Sequence, residues 1–339
     1  MNFDMITRKS IETLSKIIIS FMPKSYFSTP EIADKYMLTG DTEFTRECGG
    51  FFTCGFGKEV LTPTDFENGK YFIAGYNSNN LAENLLDDMY ARAVFIDDNT
   101  GRGGVVVCAV DAVGLSRHDI NDIRKIVLES GKASFLKSIS ICATHSHSAI
   151  DTQGLWGEKL YKSGRNEEFM AHLKEKTARA IISACESRKK GKLYYSVKET
   201  EDLQCDYRKP DAYDNNLTKI RFEAEDGSEN IQIINFACHA ELLGSKTKSI
   251  SADFPCYMLR EIEDNNKNTN ALFINGAIGG MISAKEIKKV YRHELDCESY
   301  TKEYGKNLGE LANSMTNETE IAPLINVKSV PLKIKASNF

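Results

Sequence analysis

The sequence predicts an α/β protein with a mixed, largely parallel central sheet, or sheets, and flanking helices. Apolar runs of strand length alternate with segments whose apolar residues recur at helical spacing. A strand–helix–strand order occurs twice, and a histidine follows a strand in each unit. Because parallel strands bring their carboxyl ends to one edge of a sheet, where α/β proteins usually build their sites, we expect the functional site at that edge.

The first unit begins with the apolar run 105–110, which is typical of a strand buried on both faces and ends at Asp111. Ser116 can cap the helix that follows, in which isoleucine and valine recur at helical spacing. A second strand over 139–144 then stops at His145. Asp111 and His145 are therefore expected on the same sheet edge.

The second unit follows a predicted helix and a predicted hairpin. The helix spans 167–186, a strand spans 193–197, and an Asp-Gly turn at 226–227 joins hairpin strands over 217–222 and 231–236. The second hairpin strand runs into His239. A helix over 254–265 and a strand over 271–274 then complete the unit.

Composition indicates an ordinary soluble globular protein, with 41% hydrophobic and 27% charged residues. A net charge of -5 argues against a nucleic-acid binder, and the basic cluster 188–192 is predicted to be the last turn of a helix, capped by Gly191. Nine cysteines without CxxC spacing indicate a reduced, cytoplasmic protein. No apolar run is long enough to span a membrane, and no signal-peptide cleavage site is evident.

We expect two parts in the chain. Residues 1–47 are predicted to form a polar, helical leader with an amphipathic docking helix, for which weak contact with a membrane surface is an alternative. Residues 48–339 contain no linker rich in Pro, Gly or Ser, and are interpreted as one α/β catalytic domain.

His145 and His147 are spaced i, i+2, which places both side chains on one face of an extended backbone. Such a pair alone can equally be two solvated loop histidines. His239 stands at the analogous place in the second unit, and neutral imidazoles are good ligands for Zn²⁺. A catalytic zinc lowers the pKa of its bound water to about 7, and His147 can then hold a substrate carbonyl or move a proton.

Seven segments spread over roughly residues 54–339 form an ordered pattern, namely 55–63, 87–93, 110–115, 143–148, 236–239, 251–254 and 275–280. In this order they resemble the N-terminal catalytic domain of the neutral/alkaline, non-lysosomal ceramidases. The resemblance implies that His145 and His239 bind zinc, that His147 lies close to the scissile amide, and that Arg208 contacts the reacting group. A guanidinium suits a developing oxyanion, whereas the alternative for Arg208 is a surface salt bridge.

The sequence also departs from the family pattern. The family completes its zinc shell with a Glu and a Tyr from a later segment that has no match before Phe339, so we expect a domain that is incomplete at its C-terminus. Ser283 is one residue late for the family's serine and receives no role. The continuation 149–151 differs as well, which weakens the expectation of ceramide itself more than that of metal-dependent hydrolysis. Alternative third ligands within the chain are Asp111, Glu241 and Asp253.

The sequence therefore predicts a zinc-dependent amidohydrolase that cleaves ceramide or a related N-acyl lipid. Two alternatives remain: a metal-dependent hydrolase of another amide or ester, and a non-catalytic relative that only binds a ligand. The glycines at 276–280 are expected to bring backbone N–H groups near the metal. A phosphate-binding loop is the less favoured interpretation, since the Lys-Ser/Thr of a P-loop does not follow. No oligomeric state is predicted.

Overall fold

Strands and helices alternate along the chain in the computed structural model, which describes residues 36–159, 162–208 and 211–330. Within these residues the strands are β1 Phe52–Val60, β2 Asn84–Leu85, β3 Tyr90–Asp97, β4 Gly104–Val110, β5 Leu136–Ala143, β6 Lys189–Glu199, β7 Gln204–Asp206, β8 Asn216–Ala224, β9 Asn230–Phe236, β10 Ser249–Ile250, β11 Thr269–Asn275, β12 Ile282–Ala284 and β13 Thr319–Ile321. The helices are α1 Arg117–Glu129, α2 Glu167–Glu186, α3 Phe254–Asn265, α4 Ile287–Tyr291 and α5 Cys297–Ser314, with a short 3₁₀ turn at Phe66–Asn68.

Most of the strands form one nine-stranded sheet in the order β11-β9-β8-β6-β1-β3-β4-β5, with β13 also paired to β6. The predicted α/β class, the mixed sheet and both strand–helix–strand units are confirmed. Among the described strands of this sheet, β4/β5 and β9/β11 at its two ends pair in parallel and the others pair antiparallel, so the sheet is less parallel than predicted. β2 and β10 form a separate parallel pair. The physical reason is the connections: short turns join β3 to β4 and β8 to β9 and enforce antiparallel pairing, whereas only α1 and α3 provide crossovers between paired strands.

The sheet folds over on itself near the junction of β1 and β6, where only a few residues pair. An inner apolar cluster lies between the two halves, with Val94 and Ile96 of β3 on one side and Ile231 and Ile233 of β9 on the other. The alternate faces of the strands pack against helices: α1 and α2 cover one half, while α3 and α5 cover the other. The layers therefore follow the order helix, sheet, sheet, helix. Successive residues of a strand point to opposite faces, so they alternate between the inner apolar cluster and the helices.

This folding brings together the carboxyl ends of strands that lie far apart in the sheet order. Ser146, just beyond β5, pairs in parallel with Ala240, just beyond β9. The Asn275 side-chain amide donates to the carbonyl oxygens of Thr144 (3.0 Å) and Cys238 (2.8 Å), and so joins the two segments. The predicted site therefore lies where the two parallel units meet.

Two local predictions are wrong. The basic cluster 188–192 is not a helix end: α2 ends before Ser187, and Gly191 lies in β6, where its lack of a Cβ admits the Phe222 ring. The described part of the leader, 36–47, is irregular rather than helical: Gly40 pairs with Lys328, and Asp41 accepts hydrogen bonds from the buried Lys137.

The remainder of the leader, with its docking helix and possible membrane contact, lies outside the described residues, and the domain division at residue 47 stays a prediction. None of the described helices is both long enough and apolar enough to cross a bilayer.

Candidate metal centre

Three histidines converge at the meeting point of the two parallel units. His145 and His147 follow β5 and His239 follows β9; one nitrogen from each lies within 4.8 Å of the others. The imidazole centroid of His145 is 4.8 Å from those of both His147 and His239. His145 has φ of +66°, an uncommon backbone conformation for a residue with a side chain, and such strain is often found at functional sites.

Backbone carbonyls fix two of the three rings. The carbonyl oxygen of Val113 lies 2.6 Å from Nδ1 of His145, and that of Ile282 lies 2.7 Å from Nδ1 of His239. A carbonyl oxygen can only accept a hydrogen bond, so each Nδ1 carries the proton and each Nε2 presents a lone pair. This is the arrangement that orients histidine ligands in metal sites.

The nitrogens of the three rings are close enough together to surround one ion. The ligand nitrogens of His145 and His239 lie within 4.8 Å of each other, and His147 Nε2 lies 3.2 Å from His145 Nε2. Burial lowers the pKa of His145, so this ring is neutral near pH 7, as a metal ligand must be. Burial also lowers the pKa of His147, to about 3.

A buried carboxylate stands beside the cluster. Glu241 is only 2% exposed, and its Oε2 lies 4.0 Å from Nδ1 of His147. The same oxygen accepts hydrogen bonds from the hydroxyls of Tyr76 (3.2 Å) and Tyr291 (2.9 Å). The Tyr76 ring also packs edge-on against His147, with centroids 5.3 Å apart.

The other two candidate carboxylates, those of Asp111 and Asp253, form hydrogen bonds that stabilise the fold. Asp111 accepts hydrogen bonds from the Tyr90 backbone and the Thr144 hydroxyl, and its burial raises the pKa to about 6. Asp253 accepts from three backbone N–H groups, including that of Phe254 at the start of α3, and burial raises its pKa to about 7. Neither joins the histidine group; Asp111 ties β3 to the end of β5, and Asp253 fixes the start of α3.

Arg208 follows β7 on an exposed segment. β7 pairs with β12, whose Ile282 carbonyl binds His239, so the segment is connected to the histidine cluster through this small sheet. The contact of Arg208 with a reacting group stays a prediction. Ser283 is buried on β12, and the structure likewise assigns it no role in the cluster.

The glycine segment after β11 allows two strand ends to approach closely. A Cβ added to Gly276 would meet backbone atoms of Ala237 at 3.0 Å, and its N–H donates to the Phe236 carbonyl. This segment thus holds the exit of β9, and with it His239, in place.

Comparison with known proteins identifies the fold. No protein-family model matches the sequence, and no curated protein sequence matches it. Similar solved structures include a ceramidase complexed with C2 (TM-score 0.66, 18% identity, 79% of this chain and 45% of that one) and neutral ceramidase from Pseudomonas aeruginosa (TM-score 0.65, 19% identity, 79% of this chain and 46% of that one). The chain has the fold of neutral ceramidase.

The relation to the ceramidases that the ordered motifs predict is thus confirmed at the level of the fold. The chain spans less than half the length of these two ceramidase structures. Their activity and substrates are properties of those proteins.

Sequence reasoning missed the two tyrosines that surround Glu241. Tyr76 lies in a loop before β2, and Tyr291 ends the short helix α4, so no spacing in the sequence connects them. A signal did exist for Glu241: it follows His239 at i+2, the same spacing that relates His145 to His147.

Proposed function

We propose that this chain is a zinc-dependent amidohydrolase of the ceramidase kind, which cleaves the amide bond of ceramide or a related N-acyl lipid. The observation that carries the proposal is the convergence of three imidazoles in a ceramidase fold, two of them fixed with Nε2 available to a metal. His145 and His239 hold the ion. Bound zinc supplies a water of lowered pKa and polarises a carbonyl oxygen.

The protein side chains hold the substrate and move the proton. His147 lies beside the His145 ring, with their Nε2 atoms 3.2 Å apart, so it can hold the substrate carbonyl or move a proton between the attacking water and the leaving amine. Arg208 is permanently charged and exposed, and it contacts the developing oxyanion when the substrate binds. Both roles require the reacting amide to lie between the histidine cluster and the β7–β12 sheet.

The cysteines support a cytoplasmic location. All nine are free thiols, several of them buried, as expected for a protein that works in a reducing compartment. The substrate would then be a lipid amide presented from inside the cell.

Hydrolysis assays with matched histidine variants test the function. The zinc-supplemented full chain should release fatty acid from an N-acyl sphingosine, and His145→Ala should reduce the rate to background because a metal ligand is lost. His118→Ala is the control, since His118 is an exposed residue of α1. A wild-type rate in folded His145→Ala would refute the proposal.

The substrate panel separates the alternatives. Faster cleavage of short N-acyl amides or esters than of N-acyl sphingosine would indicate a hydrolase with another substrate. The loop after His147 is the reason to test substrates other than N-acyl sphingosine. Ala149, Ile150 and Asp151 are fully buried, so this part of the chain offers no exposed apolar surface to an acyl chain. Ligand binding without turnover of any substrate would indicate the non-catalytic relative.

A further inference from the structure

A short buried segment between β10 and α3 contacts both of the segments that carry the histidines. Its residues, 251–253, are at most 1% exposed. The Ser251 carbonyl oxygen accepts a hydrogen bond from the Ser146 hydroxyl at 2.9 Å, and the Ser251 N–H donates to the Ser148 carbonyl oxygen at 3.0 Å. Ser146 separates the two histidines beyond β5, so these bonds fix the backbone from which both imidazoles project.

The other end of the 251–253 segment holds the turn that follows His239. The Asp253 carboxylate accepts hydrogen bonds from the backbone N–H groups of Leu242 and Leu243, each at 3.2 Å. Both leucines are buried, and a buried N–H group needs an acceptor. The carboxylate therefore fixes the chain three and four residues beyond His239.

Asp253 has a backbone conformation that is almost confined to glycine, with φ of +62° and ψ of −157°. Hydrogen bonds enforce it: the Asp253 N–H donates to the Ser251 hydroxyl (2.9 Å), and Oδ1 also accepts from the Phe254 N–H (2.8 Å). Capping of a helix does not require this conformation, since Asp296, which caps α5, has φ of −72°. Strain of this kind persists where the surrounding structure imposes it, and it is frequent at functional sites.

A second buried carboxylate anchors the segment itself. Asp87, in the chain before β3, is 6% exposed. Its Oδ1 accepts from the Ala252 N–H (2.8 Å), and its Oδ2 accepts from the hydroxyls of Ser251 (2.6 Å) and Tyr257 (3.0 Å). The 251–253 segment is thus a fixed support to which both histidine segments are bonded.

We propose that Asp253 is a positioning residue of the metal centre: through the 251–253 segment it holds the turn after His239 in register with the segment of His145 and His147. Asp253 lies outside the histidine group, so it acts through the backbone and not as a ligand. The part of this inference that concerns the ion rests on the proposed function. The link between the two histidine segments is a property of the metal-free chain.

Hydrogen exchange in the metal-free full chain tests the link. The His147 N–H donates to the segment beyond β9 at 2.8 Å, so its exchange reports contact between the two histidine segments. Asp253→Gly removes the carboxylate and suits the backbone conformation, so it should accelerate exchange at His147 by about 10-fold or more relative to Ile181, a buried residue of α2. Asp296→Gly is the matched control, because it removes a capping carboxylate that accepts from Ser299 instead; it should leave that ratio unchanged.

Zinc affinity provides the second measurement. Asp253→Gly should weaken zinc binding by about 10- to 100-fold, as the loss of a residue that orients ligands does, whereas Asp296→Gly should bind as the wild type does. Ser146→Ala breaks the link at its other end and should act in the same direction; it replaces Asp253→Gly in both measurements if that variant does not fold.

An unchanged exchange ratio at His147, or an unchanged zinc affinity, in the folded variant would overturn the proposal. A folded wild-type chain that binds no zinc would refute the proposed function, and faster exchange at His147 in Asp253→Gly would still establish the link between the two segments.

Discussion

Replacement of Arg92 is expected to destabilise the seam that brings the histidines together. Its side chain on β3 is 7% exposed, and its guanidinium binds the Glu263 carboxylate of α3 and the Ala271 carbonyl oxygen of β11, the latter at 2.9 Å. These bonds join the two halves of the folded sheet. Removal of one partner from a buried ion pair costs about 3–5 kcal/mol, since a charge is left uncompensated.

The surroundings of Glu263 indicate that the loss of stability lies at the lower end of this range. Glu263 is 21% exposed and keeps contacts with Lys58 (3.5 Å) and with the Ala271 N–H (3.1 Å). We therefore expect Arg92→Met, which preserves the aliphatic stem, to lower the free energy of unfolding by about 3 kcal/mol.

Urea unfolding measures the loss, with an unchanged m-value as evidence that the same structure unfolds. Arg179→Met is the control: its ion pair with Glu175 is more than half exposed on both sides, so its loss should stay below about 1 kcal/mol. A loss below about 1 kcal/mol for Arg92→Met as well would refute the role of this residue in joining the halves.

Three further predictions concern the site and the core. Gly75→Ala should impair hydrolysis, because the added Cβ would lie 2.5 Å from that of His147 and displace this ring. Gly69→Ala, also at positive φ but facing open space, should leave the rate unchanged. Ile123→Ala should lower the free energy of unfolding by about 2–5 kcal/mol, because this side chain of α1 is fully buried. Ile126 on the same helix is 38% exposed, so Ile126→Ala should lower the free energy of unfolding less when both variants are unfolded in urea. His147 should contribute a loss of stability to the metal-free chain on acidification, because burial lowers its pKa to about 3 and the unfolded chain binds the proton first. Asp111 and Asp253 act in the opposite direction, since burial raises their pKa to about 6 and about 7, so the test compares the wild type with His147→Asn. An equal change in the free energy of unfolding from about pH 7 to about pH 5 in both chains would contradict the prediction.

Local patterns predicted the individual elements well. The helix over 167–186 has the bounds of α2, since an Asn cap precedes its apolar stripe and no residue within interrupts it. Both strand–helix–strand units were evident because a buried strand and an amphipathic helix have different hydrophobic periods. The rule that parallel strands share a carboxyl edge then placed His145 and His239 correctly at strand ends.

The contact between those two strand ends was not predictable from such rules. β5 lies at one end of the sheet order and β9 next to the other end, so the folding of the sheet is needed to join them. That folding depends on long-range contacts such as those of Arg92 and Asn275, which leave no periodic signal. The surroundings of Glu241 were missed for the same reason, because Tyr76 and Tyr291 reach it from unrelated parts of the chain.

The zinc content of the purified chain tests the central claim most directly. Elemental analysis should find about one zinc ion per wild-type chain after dialysis against buffer with trace zinc, as expected for one catalytic centre. His145→Ala/His239→Ala should bind none, because two ligands are lost, while His118→Ala should bind as the wild type does. Zinc at equal stoichiometry in the double variant, or no zinc in the folded wild-type chain, would contradict the account.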